Sequence, residues 1–91
     1  MTDIQKYQDA ADKAFEKFHN SSYRRIPSKS DIPHIVNIAR SIMLHRDGIL
    51  NGGGFVTAVC ENNLELAVQR ADSVCAESLQ YFVYCKLHVR P

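Results

Sequence analysis

Apolar residues recur every three or four positions at the start of the chain. Ile4, Tyr7, Ala11, Ala14, Phe15 and Phe18 fall on one face of a helix over residues 3–18, which Thr2 or Asp3 can cap. The other face holds Lys6, Asp9, Asp12, Lys13, Glu16 and Lys17, an ordinary solvated surface with Asp9 and Lys13 as an i, i+4 pair of opposite sign. This pattern stops at His19-Asn20-Ser21-Ser22, because Asn and Ser side chains bond their own backbone and compete with helix continuation. A loop to about Lys29 is expected. Ser30-Asp31-Ile32-Pro33 then reads as a helix start, with Pro33 in the first turn, where its missing N–H costs nothing. The second helix should bury Ile35, Ile38, Ala39, Ile42 and Met43 with Val36 beside them, and should end at Asp47-Gly48, where glycine tolerates positive φ.

Asn51-Gly52-Gly53-Gly54 reads as a hinge into a short apolar third helix of Phe55, Val56, Ala58, Val59 and Cys60, which stops at Glu61-Asn62-Asn63. Asn63 can cap the next helix, and Leu64, Ala67, Val68, Ala71, Val74, Cys75, Leu79, Phe82 and Val83 keep helical spacing from there on. Two arrangements fit: one long helix, or two over residues 64–70 and 73–86 with a second cap at Asp72-Ser73. Residues 81–89 are rich in aromatic and β-branched side chains, but a lone strand would have no partner. The expectation is an all-α fold, a single compact domain over residues 1–91 with four to five helices.

Composition narrows the function classes. With 91 residues, 45% of them hydrophobic, the chain can sustain one core but is too small to enclose a large substrate cavity. A formal net charge of +1 excludes both the strong positive field of a general nucleic-acid binder and the acidity of a DNA mimic, so any electrostatic function must be local. No stretch approaches the roughly 18–20 apolar residues of a membrane span. The opening residues lack a basic region followed by an apolar run, so an intracellular protein without a membrane partner is expected. Cys60, Cys75 and Cys85 are odd in number, form no CxxC pair and fall on apolar positions, which predicts buried free thiols.

Candidate chemistry is sparse. The triple glycine lacks the preceding strand and the Gly-Lys-Ser/Thr or GxGxxG spacing of a phosphate loop, and reads as a tight turn packed against Phe55. His19, His34, His45 and His88 show no zinc-ligand spacing, with His34 expected to pair with Asp31 and His45 to sit on an exposed helix end. Thiols on apolar stripes are not activated nucleophiles, and Glu61 and Glu65 read as solvated. Neither an enzyme nor a cofactor, metal or small-molecule substrate is therefore expected. The informative segment is basic: no acid lies between Glu16 and Asp31, while Lys17, Arg24, Arg25 and Lys29 are cations with His19 and Tyr23 interleaved. Guanidinium and aromatic groups of this kind contact RNA backbone and unpaired bases, and Arg40 and Arg46 could extend the surface. The candidate partner or nucleic-acid contacts are thus Tyr23, Arg24, Arg25, Lys29, Arg40 and Arg46. A solvated loop offsetting the acidic first helix is the competing reading.

From Gly53-Gly54-Phe55 through Ala58-Val59, Asn62, Leu64, Ala67 and Ala71-Asp72 to the aromatic run Tyr81-Phe82-Val83-Tyr84, the chain resembles small helical proteins of phages, plasmids and prophages. These share a GGF-x-x-AV-x-x-N-x-L-x-x-A-x-x-x-AD pattern. The resemblance covers about residues 32–89 and consists of turns, caps and apolar positions, so it implies a scaffold and a mobile-element setting but no active site. In length and general character the chain also resembles phage anti-CRISPR proteins directed at type I surveillance complexes. That resemblance implies a viral inhibitor acting in the host bacterial cytoplasm by binding CRISPR-associated (Cas) protein subunits, with guide RNA as a further contact, and so hindering target-DNA recognition. Two alternatives stay open. A small DNA-binding regulator would need a basic recognition helix, yet residues 55–60 contain no Lys or Arg. A structural or oligomeric phage protein would need an exposed apolar face, for which Tyr81, Phe82, Tyr84 and Leu87 are candidates.

Overall fold

The computed structural model describes residues 3–19 and 28–91; Tyr23, Arg24 and Arg25 lie outside the described residues. Six helices occur in order among them: α1 (Asp3–His19), α2 (Ile32–Arg46), α3 (Gly54–Cys60), α4 (Leu64–Arg70), α5 (Ser73–Glu77) and α6 (Leu79–His88), with no strand. The all-α expectation holds, but the count is six rather than four or five. The long apolar pattern after Asn63 breaks twice. Asp72 leaves the helical conformation and its Oδ1 accepts from the Cys75 N–H at 2.8 Å, capping α5, and Ser78 then separates α5 from α6. Asn63 caps α4 as expected, its side chain accepting from the Leu66 N–H at 3.1 Å.

α2 is the central helix and packs against α1, α3 and α6. Ile35, Val36, Ala39, Ile42, Met43 and Leu44 are buried along it. Leu44 joins the anticipated stripe, while Ile38 lies at its half-buried edge. Across from it, α1 contributes Tyr7, Ala11, Ala14 and Phe15, and α6 contributes Tyr81, Phe82 and Cys85. Tyr81 is fully buried. Its ring meets Phe15 edge-on at 5.3 Å, and its hydroxyl donates to the Ala11 carbonyl at 2.8 Å, joining α6 to α1 without an orphaned polar group.

α2 ends at Gly48, whose φ of +75° is the left-handed conformation that glycine adopts without steric cost, and the Ile49 N–H closes the turn on the Leu44 carbonyl. The glycine turn before α3 packs on Val56 rather than Phe55: a Cβ at Gly52 would sit 2.3 Å from Val56 Cγ1. The Gly52 N–H also donates to His45 Nδ1 at 3.0 Å, so His45 is a half-buried tie between α2 and α3 instead of an exposed helix end. Gly52→Ala should cost about 1–3 kcal/mol, measurable by urea denaturation, because the valine and its helix must shift.

Candidate functional site

The anticipated cationic surface is only partly assembled among the described residues. Lys29 is exposed in the turn before α2. Arg40 is half-buried, its Nη1 donating to Gln8 Oε1 at 2.9 Å, which places it between α1 and α2. Arg46 does not face outward. Its Nη1 donates to the carbonyls of Cys85, Lys86 and Val89 at 3.0, 3.0 and 2.9 Å, a charged donor at the end of α6, where the Cys85 carbonyl also accepts from the Val89 N–H. Nε and Nη2 grip Asp47 at 2.8 and 2.9 Å, and the other end of that carboxylate network is the Tyr7 hydroxyl of α1. With 12% of its side chain exposed, Arg46 is a tie between three helices and not an outward partner contact. It holds the Asp47 carboxyl down at about 2, with the Tyr7 hydrogen bond adding to the effect.

Three further cations, Lys13, Lys17 and Arg90, gather beside His88 where sequence spacing did not reveal them. Lys13 and Lys17 of α1 and His88 and Arg90 at the end of α6 line a shallow groove between the two helices. All four are exposed, and Lys17 begins the acid-free stretch.

The more distinctive surface is apolar. α3, α4 and α6 form a groove of about 190 Å³ lined by Ala58, Val59, Leu64, Ala67, Leu79, Val83 and Leu87, with Asn62, Asn63 and Lys86 at its polar end. Leu64 is 70% exposed and Leu87 57%, with Val68 at 50% and Val83 at 43%, so α4 and α6 each present an i, i+4 aliphatic pair to solvent. Leu64, Val68 and Val83 keep the helical spacing of the apolar pattern, yet all three are exposed. Leu64 and Val68 face outward because Ala67 is the residue α4 buries, and the breaks at Ala71-Asp72 and Ser78 reset the helical phase before Val83 in α6. The aromatic candidates for an exposed face behave oppositely: Tyr81 and Phe82 are fully buried and Tyr84 is half-buried, so of that set only Leu87 faces out. Lys86 closes the polar end by donating from Nζ to the Val59 carbonyl at 3.0 Å and to Asn62 Oδ1.

A second constellation also went unseen in the sequence. His34, in the first turn of α2, lies not beside Asp31 but beside the start of α5, its Nε2 3.3 Å from Asp72 Oδ2 and 3.8 Å from Cys75 Sγ. Asp31 instead accepts from the Ser28 hydroxyl. Both His34 contacts use the same ring nitrogen, so this is not a relay in which one nitrogen takes a thiol proton while the other is oriented by a carboxylate. Burial, with Asp72 adding to it, pushes the Cys75 thiol up to about 12. Burial likewise pushes Cys85 up to about 11 and raises Cys60, so all three thiols are held protonated near neutral pH. They are free, Cys75 and Cys85 buried and Cys60 half-buried. Comparison of the chain with family models, with curated proteins and with solved structures finds no match.

Proposed function

We propose that the protein is a non-catalytic docking module of a mobile element, an anti-CRISPR-type inhibitor that binds a protein subunit of a multisubunit type I surveillance ribonucleoprotein and hinders its pairing with target DNA. The observation that carries the docking role is the α3/α4/α6 groove, where Leu64, Val83 and Leu87 stand exposed around buried Ala58 and Ala67, with exposed Val68 one turn further along α4. Isolated exposed aliphatics need no explanation, but four on two helices beside one groove mark a surface that another protein covers. The target class rests on the resemblance in sequence. Lys13, Lys17 and Arg90 supply local positive charge that would attract the phosphates of a guide RNA near the docking point, and Arg24, Arg25 and Lys29 are further cations of the sequence.

The same groove supports a second reading, an oligomeric phage protein in which another copy of the chain covers Leu64 and Leu87. Two measurements separate them. Mixed with a purified type I surveillance complex, the protein should co-elute in gel filtration and reduce retention of target DNA in a mobility-shift assay; elution as a free species at every ratio would refute the inhibitor reading. In sedimentation velocity the protein alone should run as a monomer at micromolar concentration, whereas a tight dimer would favour self-assembly.

A further inference from the structure

Residues 38 and 41 positions apart converge where α2 begins and α5 begins. His34 Nε2, Asp72 Oδ2 and Cys75 Sγ all lie within 4.8 Å of one another. Within the cluster the Asp72 carboxylate accepts from the Cys75 thiol and faces the same His34 nitrogen that lies near the sulfur. A cation placed among the three atoms can be bound by all of them. Tetrahedral zinc, with bonds of about 2.0–2.3 Å, sets its nitrogen, oxygen and sulfur ligands roughly 3.3–3.6 Å apart, close to the 3.3 and 3.8 Å found from Nε2.

We propose that His34, Asp72 and Cys75 form a binding site for a divalent transition-metal cation, zinc above all, with its fourth position open to solvent. The donor set decides the class. A thiolate and an imidazole disfavour calcium and magnesium, which take oxygen ligands, and one sulfur, one nitrogen and one oxygen suit a borderline-soft ion. The carboxylate is already oriented, since Asp72 Oδ1 is held by the Cys75 N–H and Oδ2 is left to face the site. On binding, the Cys75 S–H gives its proton to solvent, His34 carries its ring proton on Nδ1, and the cation takes S, N and O in place of its waters, keeping one water at the fourth position and releasing the rest. Asp72, whose negative charge opposes a bare thiolate, favours a dication at the same place. About half of the His34 and Asp72 side-chain surface is open, which provides the entry path and room for a water at the fourth position. The bound ion would pin the five-residue helix α5 to the start of α2.

Cobalt(II) is the probe. Titrated into the reduced protein, it should bind with one equivalent, produce thiolate-to-cobalt charge-transfer absorption, and be displaced by zinc. His34→Gln sits on an exposed position and leaves the fold intact, Asp72→Asn retains a capping side chain for α5, and Cys75→Ala removes the sulfur. Each should weaken binding by at least the ~100-fold that even outer-shell partners of a metal can command, while Cys60→Ala should leave it unchanged. Absence of the charge-transfer absorption in the unaltered protein, or its survival at undiminished affinity in the His34→Gln protein, would overturn the site. The result is independent of whether the protein binds a surveillance complex.

Discussion

Arg46→Ala is expected to destabilise the protein by about 2–4 kcal/mol, lowering the melting temperature by on the order of 10–20 °C, the largest loss of any single surface-adjacent substitution. The substitution strips the Lys86 and Val89 carbonyls of the guanidinium donor, leaves the Cys85 carbonyl with the Val89 N–H alone, and leaves Asp47 and the Tyr7 hydroxyl without the charge that organises them. Arg46→Lys should recover only part of the loss, because an ammonium cannot span the carbonyls and the carboxylate together as the planar fork does. Acid should act on the same network. Asp47 titrates at about 2 in the folded protein against 3.8 for the ordinary group, so its contribution is fully present above 3.8 and is lost as pH falls through about 2. Thermal melts between pH 5 and pH 2 should therefore fall less steeply for Asp47→Asn than for the unaltered protein. A melt of the Arg46→Ala protein within a few degrees of the parent would mean that the α6 terminus holds without it.

The second large effect concerns binding. Leu64→Asp with Leu87→Asp should abolish association with the surveillance complex, weakening it more than ~100-fold, since central apolar anchors of an interface each command about 2 kcal/mol or more. The fold should be unaffected, because both side chains already stand in solvent and touch little of the core. Calorimetric titration gives the affinity and a melt gives the stability. Loss of both would reveal a folding defect, and retention of binding would remove the groove from the interface. Charge reversal at Arg24 and Arg25 is the companion experiment, expected to reduce affinity more at low than at high salt if those residues meet RNA.

What could be read from residue spacing was local. The 3.6-residue stripes of α1 and α2, the Asn63 and Asp72 caps and the left-handed Gly48 all depend on neighbours in sequence and stand where the pattern puts them, apart from Ile4, which is exposed at the start of α1. The uniform stripe after Asn63 misled for a physical reason: periodicity carries phase only while the helix is unbroken. After two interruptions Val83 stands outward while Tyr81 and Phe82 go fully inside, and within α4 Ala67 is buried with Leu64 and Val68 left in solvent. Arg46 looked like a surface cation because its acceptors belong to a terminus 39–43 residues later, a relation no local pattern encodes. The His34 cluster was half visible, in that Asp72 and Cys75 share the i, i+3 spacing of a capped turn, but the imidazole comes from another helix.

Hydrogen–deuterium exchange of the protein, free and bound to a type I surveillance complex, probes the docking surface without altering a residue. New protection should concentrate in residues 58–68 and 79–87, the walls of the aliphatic groove. Protection confined to α1 and the opening of α2, with those two stretches exchanging as in the free protein, would mean that the groove is not where the partner sits.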